Sequence, residues 1–98
     1  MKAIIDKDFE TLVPVFMESQ LNLLLDLKGA IENNDKEQIV FYGHRLAGSA
    51  DNYGFRELGR IGRDIEITGK TMNVSILVKL YEAALTYIKT VEIEYIII

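Results

Sequence analysis

The stretch Asp35–Gly54, DKEQIVFYGHRLAGSADNYG, decides the architecture. Its positions Ile39, Tyr42, Gly43, Leu46, Ala50 and Tyr53 recur at 3.6-residue spacing, which predicts an amphipathic helix with one buried stripe. Asp35 followed by Gln38 resembles a capping box that opens the helix. Asn52 and Gly54 mark its end, since glycine accepts the left-handed conformation of a helix terminus. Inside it lies His44, the only histidine of the chain. At the helical rotation per residue, His44 points roughly 140° from the core direction, toward solvent. Its neighbours one turn away are Val40, Phe41, Ala47 and Gly48, all uncharged and two of them very small. Glycine inside a helix costs about 1 kcal/mol relative to alanine. That cost at Gly48, beside a side chain that is a good neutral nucleophile near pH 7, suggests clearance for another molecule. A lone surface histidine is, on the other side of the balance, ordinary.

On either side of this helix the pattern continues. From Val15 to Glu32, Phe16, Leu23, Leu24, Leu27 and Ile31 share one helical face, and Asn33-Asn34 breaks it. A helix from Phe55 buries Leu58, Ile61, Gly62 and Ile65, with Gly69 expected to stop it. Asn73 can cap another that carries Ile76, Leu77, Leu80, Ala84, Tyr87, Ile88 and Val91. Near the start, Asp8 is a capping candidate for a short extra helix that ends or bends at Pro14, because proline removes a donor and kinks a helix. The tail Val91–Ile98 is rich in β-branched residues and fits a strand as well as a frayed helix. The fold class expected is therefore all-α: an antiparallel four-helix bundle with a short extra N-terminal helix, in one domain over residues 1–98.

Composition narrows the function. The chain has 98 residues, 49% of them apolar, enough for one core. A net charge of −4 argues against a nucleic-acid footprint. There is no cysteine, hence no disulfide framework or thiolate chemistry, which suits the cytoplasm. No apolar run approaches the length of a membrane span, and the N-terminus lacks a signal-peptide core. One histidine without cysteine makes a zinc site improbable, and the carboxylates form neither an EF-hand nor a paired acid/base arrangement. Gly59 and Gly62 make no phosphate-binding loop; close helix packing explains them better. No cofactor is expected.

His44, Leu46, Gly48 and Gly54 match the pattern H-x-L-K-G-x-x-x-x-x-G, the phosphoacceptor motif of histidine-containing phosphotransfer (HPt) domains. Thr11–Phe16, Gly43–Leu46, Asn52–Phe55 and Leu58–Glu66 look like bacterial single-domain members, so the resemblance covers nearly the whole chain. It implies a phosphocarrier rather than an enzyme, with His44 accepting a phosphoryl group reversibly from a receiver-domain aspartate or a hybrid histidine kinase. Magnesium would sit on the receiver. Family members often place a carboxylate or amide 22 residues beyond the histidine, here Glu66, which becomes the candidate for orienting the imidazole; an ordinary surface glutamate is the equal alternative.

The match fails at one position. Ala47 stands where the family has a lysine facing the phosphoryl group. A lysine at 47 would lie one turn from His44 without disturbing the fold, so Ala47→Lys is expected to speed labelling. Arg45, Ala47, Gly48 and Asp51 form the expected surroundings of the phosphoryl group. Arg45 points about 100° away from His44 and is an imperfect substitute. Arg56, Arg60 and Arg63 make a basic stripe on the next helix, most of which reads as a solvated face. The missing lysine leaves two further readings open: a degenerate HPt-like docking module that binds a receiver or kinase without efficient transfer, and a plain helical interaction module. A monomer is expected, with a dimer as the alternative should Leu21, Leu25 and the apolar tail be exposed together.

Overall fold

The computed structural model describes residues 1–98. Strand β1 (Lys2–Asp6) leads through a 3-10 turn (Lys7–Phe9) into helix α1 (Val13–Glu32). Helices α2 (Lys36–Tyr53), α3 (Arg56–Thr71) and α4 (Val74–Thr90) follow, then strand β2 (Glu92–Ile96). Each helix packs against two others, α1 on α2 and α4, α3 on α2 and α4, closing a four-helix bundle. Its centre is a cluster of 19 buried apolar residues, including Phe16, Leu24, Leu27, Ile39, Leu46, Leu58, Ile65 and Leu77.

Two helix starts follow the sequence signals. The Asp35 carboxylate accepts from the Gln38 amide at 3.2 Å, and Asn73 accepts from the Ile76 amide at 3.2 Å. Gly54 (φ +93°) ends α2 in the left-handed region, and the Phe55 amide donates back to the Ala50 carbonyl. Phe55, fully buried, then stacks on Phe16 at 5.1 Å between ring centroids, and Phe16 stacks on Tyr53 at 4.4 Å.

Three expectations are corrected. There is no separate N-terminal α-helix: residues 2–6 form a strand, and Asp6, not Asp8, caps the 3-10 turn by accepting from the Asp8 amide at 2.9 Å. Pro14 lies in the first turn of α1, where its missing N–H has no intrahelical partner to lose. Gly69 does not stop α3. It is buried inside the helix, where a Cβ would come within 2.8 Å of Ile39 Cγ2, and the turn comes at Met72 in the left-handed region (φ 55°). A small residue needed for packing mimics a terminator.

The tail open to two readings is a strand. β2 pairs in parallel with β1, Lys2 opposite Glu92 and Asp6 opposite Ile96. Alternation buries Ala3 and Ile5 on the bundle and leaves Ile4 exposed.

The tightest packing is between α2 and α3. A Cβ at Gly43 would meet the Glu66 backbone nitrogen at 2.6 Å, and one at Gly62 would meet the Ala47 backbone nitrogen at 2.6 Å. These glycines let the two backbones nearly touch. Along the contact, Ile39 and Val40 face Gly69, Gly43 faces Gly62 and Glu66, and Asp51 faces Gly59, so α2 and α3 run in opposite directions. That register brings α3 side chains alongside the exposed face of α2.

Candidate functional site

His44 lies in the middle of α2 with 76% of its side chain exposed. Its Nδ1 is 3.3 Å from Glu66 Oε1 on α3, and Glu66 is itself three-quarters covered. An ionised carboxylate can only accept, so this contact calls for the proton on Nδ1, which in the neutral ring leaves the lone pair on Nε2. The close approach at Gly43 brings the two side chains within reach, since the Glu66 backbone sits against the residue that precedes His44.

Gly48, one turn beyond His44, differs from the packing glycines. It is exposed, and a Cβ there would meet nothing within 4 Å. No contact within this chain requires a glycine at that position. Phe41, one turn before His44, is 49% exposed, with the Arg45 guanidinium 5.7 Å from its ring centroid. Arg45 thus stacks on the apolar neighbour of His44.

Ala47 is the position at which the structure departs most from expectation. It is only 6% exposed, pressed on the backbone of Gly62. A lysine stem there would start inside the α2–α3 contact, a surrounding that the expectation of an undisturbed fold for Ala47→Lys left out of account. The sequence places residue 47 near the face of His44, but the glycine-mediated approach of α3 covers it.

The three arginines of α3 separate. Arg60 is held within its own helix by Glu57 and by Asp64, the latter at 2.8 Å. These contacts hold the Glu57 carboxyl below its ordinary range, the Arg60 hydrogen bond being the main cause. Arg56 lines a cleft with Lys2, Glu57 and Tyr87 below the strands. Only Arg63 crosses to α2, with Nη1 2.6 Å from Asp51 Oδ2. The Asp51 carboxylate occupies the space that a Cβ at Gly59 would fill. Sequence reading does not single out Arg63 within the basic stripe and misses this bridge. The available signal was the Gly59–Arg63 spacing, a small residue one turn before a long cation on the same face.

No helix of the structure is long and apolar enough to cross a membrane. No curated protein and no solved structure matches the chain. The family model of the Hpt domain matches residues 11–92, from just before α1 through α4 into β2. With a four-helix bundle around an exposed helical histidine, the chain belongs to the Hpt domain family, the phosphocarrier modules that exchange phosphoryl groups with receiver domains and kinases in phosphorelays.

Proposed function

We propose that this chain carries a phosphoryl group on Nε2 of His44, taken from and returned to the aspartate of a response-regulator receiver domain or a hybrid histidine kinase. The observation that carries this reading is the exposed His44 ring with Nδ1 turned to Glu66. In the forward step the Nε2 lone pair attacks phosphorus of the receiver's aspartyl phosphate. The N–P bond forms as the P–O bond breaks, and its electron pair returns to the aspartate carboxylate. The ring becomes a phosphoimidazolium with its proton still on Nδ1. Glu66 accepts the hydrogen bond from that N–H, fixes the tautomer beforehand and offsets the positive charge as it develops. The reverse transfer uses the same atoms. Magnesium and the carboxylates that hold it belong to the receiver, which supplies the charge stabilisation around phosphorus in transfer.

Phe41 and Gly48, one turn to either side of His44, give the receiver an apolar foothold and room for its approach. We place the reaction in the cytoplasm, with the chain acting as a monomer.

Incubation with a phosphorylated receiver tests the reading. Acid-labile, base-stable phosphate appears on this chain and is absent from His44→Gln. Binding of the receiver without any label on the wild-type chain would identify a docking module instead.

A further inference from the structure

Phosphoryl transfer to His44 places a dianion on a surface where position 47, the family's lysine position, is a buried alanine. Building on the phosphocarrier reading of His44, we propose that Arg63 supplies the missing cation, leaving Asp51 to bind the phosphoryl oxygens across the open surface at Gly48.

The register of α2 and α3 carries this. Gly62 faces Ala47, so Arg63, the next residue, leaves α3 level with the turn of α2 that separates His44 from Gly48. Glu66, three residues further along α3, is the residue that touches the imidazole. Arg63 and Glu66 therefore lie on neighbouring positions of one face, about 4.5 Å apart along the axis. The guanidinium reaches over α2 to Asp51, which lies seven residues beyond His44, about 10 Å along the same face. Gly48 falls between them, four residues after His44 and three before Asp51. With no side chain and nothing within 4 Å of its Cβ position, Gly48 leaves the path from Asp51 to His44 unobstructed.

The exchange is also favourable in charge. The Arg63–Asp51 pair is about half exposed on both sides, and such pairs add little to stability. A phosphoryl group offers up to twice the charge and three acceptor oxygens to a fork-shaped donor. Of the other cations on these two helices, Arg60 is engaged by Glu57 and Asp64 and Arg45 by the Phe41 ring, while Lys70 leaves α3 one turn beyond Glu66, on the side of His44 away from Gly48. Asp51 is then a positioning residue. It parks Arg63 over α2 while His44 is bare and competes with the phosphoryl group once it arrives.

The test uses the full chain and phosphoramidate, a small phosphoryl donor that needs no cognate partner. Initial labelling rates are compared for the wild type, Arg63→Gln, Asp51→Asn and the double variant, with His44→Gln as the blank and circular dichroism to confirm the fold. Arg63→Gln is expected to label about three- to tenfold more slowly, and Asp51→Asn faster than wild type. In the double variant the gain from Asp51→Asn disappears. The opposite signs matter, because a bridge that merely braces α2 on α3 would be weakened equally by either change. Equal rates in all four, or a fall in both single variants, overturns the role of Arg63 while leaving His44 as the carrier. Where phosphoramidate leaves the wild type unlabelled, a phosphorylated receiver replaces it as donor in the same four-way comparison; no label on the wild type from either donor overturns the carrier reading and this one with it.

Discussion

The His44–Glu66 contact joins two residues whose separation in sequence carries no chemistry until α3 folds back on α2. Because His44 is exposed, His44→Gln should leave chemical denaturation within about 0.5 kcal/mol of wild type while abolishing transfer. Glu66 offers a graded test. Glu66→Gln keeps an oxygen that can accept from Nδ1 but loses the charge; Glu66→Ala loses both. Labelling rates should therefore rank wild type, then glutamine, then alanine, with alanine roughly tenfold down, as loss of a charge-assisted hydrogen bond predicts. Identical rates in all three would make Glu66 a bystander. The exposure of His44 was legible from the phase of its helix, and Glu66 was reached only through the family's spacing. The burial of Ala47 was not legible at all, because it depends on how closely a second helix approaches.

That approach is set by glycines with opposite duties, and their substitutions should separate them. Gly62→Ala adds a methyl 2.6 Å from the Ala47 backbone nitrogen. Forcing two helix backbones apart should cost about 1–3 kcal/mol, more than the roughly 1 kcal/mol that alanine returns in helix propensity. Gly48→Ala meets nothing and should stabilise the protein by up to about 1 kcal/mol in a urea titration. A loss of stability at Gly48 would remove the argument that its space is kept for a partner. Ala47→Lys, buried where Gly62 presses on it, should destabilise as Gly62→Ala does. At this level the helix starts at Asp35 and Asn73 were readable, since a capping side chain acts on residues beside it. Pro14 and Gly69 misled for one reason. Proline fits a first turn and glycine fits a tight interface as well as either marks an end, and only the neighbouring elements decide which applies.

Across the whole molecule, the strands join segments some 90 residues apart, Lys2 opposite Glu92, and the four helices form the crossover between them. A two-stranded sheet is marginal alone, and here Ala3 and Ile5 anchor it to the bundle. The alternation of so short a segment is too weak to read without its distant partner, which is why residues 2–6 carry no sequence assignment and the expected N-terminal helix starts only after Asp8. Beneath the strands Tyr87 is nearly buried; burial first, and the Glu57 carboxylate second, push its phenol above the ordinary value. The folded state therefore holds that proton more tightly than the unfolded one. The resulting stability is fully present below about pH 10 and is lost as pH climbs from there through the raised value. Tyr87→Phe should flatten this alkaline decline in denaturation midpoints measured from pH 9 to 11. On the proposed reading, this scaffold presents one ring nitrogen, Nε2 of His44, to a partner. The most direct test is phosphorus–nitrogen NMR on the phosphorylated chain with labelled histidine. A coupling from phosphorus to Nε2 of His44, with the proton retained on Nδ1, is the expected result; phosphate on Nδ1, or on any residue other than His44, would contradict it.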